Sequence, residues 1–475
     1  MTVGKKTKSK DKDIPRPEKE KSKKRKHEVV VHQNAGEAQG HKRDHPGGSW
    51  GEEVEQTLTE QHPAKKRRSE GAPKMAFTDE QPAAERTSTQ KAPSRTNAPQ
   101  DLQTEKPSAV FIPRQGRDWT VSMALPGSIL SNAKKHDLKT LLVGRIARAA
   151  AVWCVDEIIV YDDDPTNIPI NVDPKYRGKK KSKIEILDSV SEADMPYQDP
   201  DRFLTGMLEY CECPPHFRRQ LFPECEPMRY VGSLPPFDMP HHQRSNEWGP
   251  YREGIALPDP CKPPQGKGKD QGWTYVACGL PYPVKVPHVV QPGMRVTLEF
   301  ANPEAPRSWP NLSAQECDNI AVDGAVPSAP REQGGYYWGY VVRRAASLSA
   351  VYDETDLEGG YDCSIGTSER GVPLTSVLPD AIAPRNRPKS DNLTKFPDRF
   401  KHLLIVFGGV AGLEPAVASD PTFQKAGLTK NSAHEAFDFW VNLVQGQGSR
   451  TIRTEEAIEI GLAGLKGYID YQYEN

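Results

Sequence analysis

Three short apolar runs in the last quarter of the chain each end in a glycine-containing loop. Residues 361–365 (YDCSI) lead into GTSERG at 366–371, and 402–407 (HLLIVF) into GGVAG at 408–412. The third run, 437–443 (FDFWVNL), leads into QGQGSRT at 445–451. Apolar runs of this length read as buried strands. In open α/β sheets a ligand binds outside the carboxyl ends of the strands. Glycines at those ends let backbone approach a ligand and offer it free N–H groups.

The same texture opens the ordered part of the chain. Residues 120–125 (TVSMAL) alternate like a strand, and Pro126-Gly127-Ser128 breaks the run. Leu138, Leu141, Leu142, Ile146, Ala149 and Trp153 then recur at helical spacing, and 157–161 (EIIVY) is a second buried-type run closed by Asp162-Asp163-Asp164. Strand, helix and strand in that order form a βαβ unit, so the sheet is expected to be parallel. A basic loop at 177–183 (RGKKKSK) follows, then a helical stretch at about 201–221.

The middle of the chain differs. Runs at 254–257, 274–278, 284–286 and 295–300 are separated by Pro and Gly, and 336–344 (YYWGYVVRR) ends the series. Closely spaced short strands suggest a small β-barrel inserted into the α/β domain, with 261–272 and 302–335 as long loops. The expected division is 1–108, 109–249, 250–347 and 348–475. The final helix has Thr454 as its expected cap, Glu455 and Glu456 in its first turn, and an apolar face of Ala457, Ile458, Gly461, Leu462 and Leu465.

Residues 1–108 are rich in Lys, Glu, Pro, Gln, Thr and Ser, too polar to fold alone. They account for much of the low apolar fraction of 36% and the 44 prolines of the whole chain. The formal net charge of −1 hides this basic arm against an acidic remainder. Its clusters KSKKRK (21–26) and KKRR (65–68) read as nuclear-import signals or phosphate-binding arms. No apolar run is long enough to span a bilayer, and the start lacks the core of a signal peptide. The eight cysteines have no framework spacing; Cys211, Cys213 and Cys225 match no common zinc pattern, so no metal site is expected.

Two nucleotide-binding motifs fail on spacing. Gly408, Gly409 and Gly412 do not form G-x-G-x-x-G, and Pro415 interrupts the segment that follows. Gly446-x-Gly448-Ser449 resembles a phosphate cradle, but no Lys stands where a P-loop needs one.

The segments SMALPGSIL (122–130), 140–150, 154–160, IGTSERG (365–371), FGGVAG (407–412) and QGQGSRTIRTEEAI (445–458) together resemble one family. It is the eukaryotic and archaeal branch of the SPOUT, or α/β-knot, RNA methyltransferases. The likeness covers most of the chain after about residue 115 and not the basic arm. It implies a trefoil-knotted α/β domain with an inserted OB-like barrel, and S-adenosyl-L-methionine as cofactor. It also implies a homodimer across which the site is completed. Deep knots are exceptions to ordinary topology, and periodicity alone does not reveal one.

Carried onto this chain, the resemblance gives Gly366, Arg370, Phe407, Gly408, Gly409, Gly412, Asn442, Leu443, Gly446, Gly448, Ser449 and Thr451 as cofactor-binding candidates. Leu443 and Gln445 stand where the family pattern has Thr and Pro. Transfer to a protonated base nitrogen such as uridine N3 needs a proton acceptor, for which Glu369 and Glu455 are candidates. Arg450 is a candidate for gripping the target base. Arg453, His241, His242, Arg244, Lys179, Lys180 and Lys181 are candidate RNA contacts, and Tyr336, Tyr337 and Trp338 are candidate stacking surfaces.

The expected activity is base methylation, uridine N3 foremost, of ribosomal RNA in the nucleus or nucleolus, with an import receptor as a further partner. The alternative is a nuclear RNA-binding scaffold on the same fold that transfers nothing. Five intact glycines in the second and third loops favour catalysis.

Overall fold

The computed structural model describes residue 113 and residues 115–167, 181–189, 199–258, 272–385 and 393–473. The expected disorder of the basic arm, and Lys179 and Lys180, lie outside them.

Six parallel strands form the main sheet: β1 (Thr120–Pro126), β2 (Glu157–Tyr161), β8 (Val341–Ala345), β9 (Cys363–Pro373), β10 (His402–Val406) and β11 (Phe439–Asn442). Their order is β11-β9-β10-β1-β2-β8. The central pair β1 and β10 aligns Thr120 with His402 and Ala124 with Val406, and every residue of both strands is buried. Parallel strands covered on both faces read as continuous apolar runs, as β10 does, whereas Thr120 and Ser122 make β1 read as an alternating strand. Alternate residues serve opposite faces. Met123, Leu125, Ile158, Val160, Leu403 and Ile405 pack against the helices His136–Val152, Pro200–Glu212 and Thr454–Tyr471. Ala124, Ile159, Leu404 and Val406 pack with Leu348, Val351, Leu413 and Val417. Each such buried Val, Leu or Ile contributes roughly 1.5–3 kcal/mol.

The βαβ unit is present as expected, with β1 and β2 parallel across the helix His136–Val152. The buried face of that helix carries Leu142, Val143, Ile146, Ala147 and Ala150, whereas Leu138 and Leu141 are exposed. The helical reading was correct and its facing partly wrong.

A second sheet has five antiparallel strands in the order β5-β4-β3-β6-β7: β3 (Tyr251–Ala256), β4 (Thr274–Ala277), β5 (Val284–Val286), β6 (Arg295–Phe300) and β7 (Val322–Ala325). It encloses its own small core of Val276, Cys278, Val284, Val286, Leu298, Phe300 and Val322. Here the sequence misleads. The fifth strand is Val322–Ala325, whose VDGA carries little apolar signal. The segment 336–344 instead leads into β8, an edge strand of the parallel sheet beside β2.

That segment joins the two sheets. The Tyr337 hydroxyl donates to the Ala150 oxygen and that of Tyr340 to the Leu208 oxygen, while Trp338 Nε1 donates to Glu253 on β3 at 2.7 Å. Tyr337 is therefore core, not a stacking surface. The join is reinforced by Arg295 on β6, which holds Glu212 at 2.6 and 2.9 Å and Glu253 at 2.6 Å. No helix among the described residues is long and apolar enough to cross a membrane.

Candidate active site

Because all six strands run the same way, their carboxyl ends share one edge, and the three glycine loops emerge there side by side. The first is a loop-out within β9. Gly366 pairs with Trp440, but the next pair is Val372 with Val441, so residues 367–371 project from the ladder. A Cβ on Gly366 would stand 2.7 Å from the Phe437 and Trp440 rings, and one on Gly371 would stand 2.5 Å from Val441 backbone. Thr367 Oγ1 donates to the Val406 oxygen at the end of β10. Asn442 at the end of β11 donates to the Glu369 oxygen at 2.9 Å and accepts from the Val444 N–H. The Arg370 guanidinium is mostly exposed and pairs with Glu414 at 3.2 Å.

The second loop follows β10. Phe407 is buried, and its oxygen accepts from the Tyr161 hydroxyl at 2.8 Å. The Gly412 N–H closes the loop onto the Gly409 oxygen, and Gly412 has φ +85°. A Cβ on Gly408 would lie 2.5 Å from Gly412 backbone. One on Gly409 would strike Asp163 Oδ2 at 2.7 Å and Ser128 Oγ at 2.8 Å.

The third loop is the most open. Gly446 has φ +73°, and among the described residues no atom lies within 4 Å of the Cβ direction of Gly446 or Gly448. Ser449 Oγ donates to the Thr451 oxygen, and Gln447 to the Ser449 oxygen. Arg450 and Arg453 are exposed. Leu443 and Phe407 both face Gly461, whose Cβ would lie 3.1 Å from Leu443 and 3.3 Å from Phe407. Leu443 thus lines the seam between the second and third loops.

The last helix begins differently from expectation. Its capping residue is Arg453, whose backbone N–H donates to Glu456 at 3.0 Å. Thr454 is the first helical residue and sends its hydroxyl to the Gly408 oxygen at 2.9 Å. Glu455 is buried, and among the described residues its Oε2 has no hydrogen-bond partner. Glu369, the other expected proton acceptor, is exposed on the β9 loop.

The remaining candidates separate. Lys181 is exposed two residues before Lys183, whose ammonium binds Asp162 at the end of β2 at 2.9 Å, so it lies beside the same edge. His241 and His242 lie elsewhere. Both rings hydrogen-bond to the Glu212 oxygen at 2.9 and 2.6 Å, and His241 also meets the Glu212 carboxylate at 2.8 Å. Burial, and then His241, push the His242 imidazole down to about 3. His241 is 1% exposed, so its assignment as an RNA contact is corrected: it is an interior ligand of a helix end. Arg244 is exposed, and its guanidinium stands 4.0 Å from Asp238.

Sequence reading missed Ser128 and Asp163. The Asp162-Asp163-Asp164 turn was visible as the close of β2, and a turn at the carboxyl end of a parallel strand was the available signal.

The molecule is an α/β protein with a parallel sheet and a glycine-lined carboxyl edge, where open sheets of this kind hold their ligands. A family model described as "Putative RNA methyltransferase" matches residues 120–465. The 28S rRNA (uridine-N(3))-methyltransferase of Mus musculus is 38% identical over 74% of this chain and 77% of its own length. Its namesake in Homo sapiens is 37% identical, over 76% of this chain and 82% of its own. That of Drosophila melanogaster is 35% identical over 73% and 62%. This chain belongs to the SPOUT RNA methyltransferase family and is an RNA methyltransferase.

Proposed function

We propose that the enzyme transfers a methyl group from S-adenosyl-L-methionine to N3 of a uridine in large-subunit ribosomal RNA. The observation that carries the reading is the convergence of the 366–371, 408–412 and 445–451 loops on one sheet edge. The names of its relatives supply the substrate class. The residues present fit the cofactor. Space is open around Gly446 and Gly448, and the orphaned Glu455 Oε2 is a buried acceptor lacking a donor.

Gly366, Gly408, Gly409, Gly412, Gly446 and Gly448 would present backbone to the cofactor. Asn442, Ser449, Thr451 and Arg370 would offer polar groups, and Phe407 and Leu443 an apolar wall. Bound there, S-adenosyl-L-methionine supplies a methyl group already activated by its sulfonium. The protein then has to orient the base, exclude water and accept the N3 proton. Arg450 and Arg453, exposed at the third loop, and exposed Lys181 are the groups proposed to meet phosphate or base. Lys179 and Lys180 precede Lys181 in the sequence and are proposed for the same role. A base reaches such a pocket only when unstacked, which favours a looped or single-stranded target.

Three further readings belong with this one. The α/β domain is knotted and works as a homodimer, as the family resemblance implies. The antiparallel sheet within 250–347 is an OB-like barrel, supported by its separate core and by edge strands β5 and β7 that approach within 8 Å. The basic clusters at 21–26 and 65–68 take the enzyme through an import receptor to the nucleus and nucleolus.

The test is incubation of the full-length enzyme with methyl-labelled S-adenosyl-L-methionine and protein-free large-subunit ribosomal RNA, followed by digestion to nucleosides. Label in 3-methyluridine is expected. Label in another nucleoside would overturn the uridine N3 reading, and no label in RNA would overturn the substrate.

A further inference from the structure

The parallel sheet divides its carboxyl edge into two halves. The glycine loops occupy the half formed by β11, β9 and β10; the ends of β1, β2 and β8 form the other. At the boundary, Gly409 of the second loop stands directly against Asp163 and Ser128. Ser128 follows the end of β1 in the turn fixed by the Gly127 N–H, which donates to buried Asp201 at 2.9 Å. Asp163 follows the end of β2, and the Ser419 hydroxyl donates to its backbone oxygen at 2.8 Å. Both residues are half-buried, and the Ser128 hydroxyl donates to Asp163 Oδ2 at 2.5 Å.

Asp163 differs from the carboxylates around it. Asp162 is paired with Lys183, whose ammonium also donates to the Asp164 oxygen. Asp199 is paired with Arg344, and Asp201 is spent on the Gly127 backbone. Among the described residues Asp163 has no cation partner, and no other residue donates to its Oδ1. The charged and titratable groups that act on it are Asp162 of its own turn, Lys183 on the helix Lys183–Asp188 and Tyr161 at the strand end; the Ser128 hydroxyl bonds its carboxylate and the Ser419 hydroxyl its backbone oxygen. Burial pushes its carboxyl above the usual range, the Ser128 hydrogen bond works against this, and Asp162 adds to it. A carboxylate so placed is poised for proton transfer.

We infer that Asp163, held by Ser128 against Gly409, is the residue that receives the imide proton of the target uridine and selects uracil over cytosine. The inference rests on the uridine N3 reading proposed above. Uracil offers N3–H between two carbonyl acceptors, which a carboxylate accepts. Cytosine offers a bare N3 lone pair, which a carboxylate repels. The N3–H proton passes to Asp163. The N3 electron pair forms the new bond to the methyl carbon, and the carbon–sulfur bond breaks with its electrons left on sulfur as a neutral thioether.

Asp163→Asn conserves shape and removes the base. At pH 7 its kcat on large-subunit ribosomal RNA should fall by about 100-fold or more, the lower bound for a lost general base. Its rate should then rise steeply with pH, as the imide ionises unaided, where the wild type is flat. Asp162→Asn, a paired neighbour, should stay flat above pH 7 like the wild type, with only its acid limb moved to lower pH, because Asp162 raises the Asp163 carboxyl. Without turnover, the S-adenosylhomocysteine complex of the wild type should bind oligo(U) in preference to oligo(C), and Asp163→Asn should lose the preference.

An Asp163→Asn profile parallel to wild type, or an unchanged preference for oligo(U), would overturn the assignment while 3-methyluridine in the wild-type digest keeps the parent reading intact. A digest without 3-methyluridine brings both down. Should Asp163→Asn fail to melt cooperatively, Ser128→Ala carries the test. Loss of the hydroxyl should move the acid limb of the profile to higher pH, and an unmoved limb contradicts the role.

Discussion

Thr454 donates its hydroxyl to the backbone oxygen of Gly408 at 2.9 Å, tying the first residue of the last helix to the loop that follows β10. The second loop is therefore tied to the start of the helix Thr454–Tyr471, into which the third loop leads. Thr454→Val keeps the shape and leaves the Gly408 oxygen without its donor. We expect a stability loss of about 1 kcal/mol and cofactor binding weakened about three- to tenfold, read by thermal melting and calorimetry. Stability lost with affinity unchanged would mean that the tether serves only the fold.

Two glycines of the site should respond differently to the same substitution. A Cβ on Gly408 would collide with Gly412 backbone at 2.5 Å, so Gly408→Ala must displace the loop. Gly446 has open space and only its φ of +73° to maintain, so Gly446→Ala should cost roughly 1–2 kcal/mol of local strain without a collision. Calorimetry should find cofactor binding abolished in the first and reduced in the second. Equal behaviour would contradict the loop geometry.

The junction between the sheets rests on Arg295. Burial disfavours charge on Glu212, yet Arg295 and then His241 outweigh it and hold the carboxyl below its usual range. A depressed folded-state value gives stability that is present above the ordinary carboxylate pKa and lost as pH falls below it. Arg295→Met strands two buried carboxylates, Glu212 and Glu253, and should cost about 3–5 kcal/mol at pH 7. Its urea midpoint should lose less than the wild type does between pH 5 and 3. A variant as stable as wild type would contradict the buried ion pair.

His242 gives a second pH dependence. Its folded-state value lies at about 3, against an ordinary imidazole near 6.5, so protonation favours the unfolded chain. The stability it contributes is present above pH 6.5 and declines as pH falls from there toward 3. His242→Gln should flatten the urea midpoint across pH 7 to 5, and an unchanged slope would contradict a neutral ring at His242.

Much of the parallel sheet was legible because β2 and β10, covered on both faces, carry nearly continuous apolar runs, and because β1 alternates like a strand. What failed has identifiable causes. Leu138 and Leu141 follow the helical period, but the period does not say which stripe faces the core. The aromatic segment at 336–340 read as barrel because its residues suit a strand, while its hydroxyls reach helices of the α/β domain. The His241–His242 pair read as surface because the acceptor that buries it, the end of the helix at Glu212, is distant in sequence. The glycine loops were legible by composition, whereas the meeting of Ser128, Asp163 and Gly409 depends on the strand order and has no local signature.

The central claim is that the three loops hold S-adenosyl-L-methionine, and calorimetric titration of the full-length protein tests it most directly. Titration with S-adenosyl-L-methionine and S-adenosylhomocysteine should give micromolar binding, lost in a folded Gly446→Trp variant whose indole fills the open third loop. Absence of heat with the folded wild type, or binding that survives Gly446→Trp unchanged, would contradict the site.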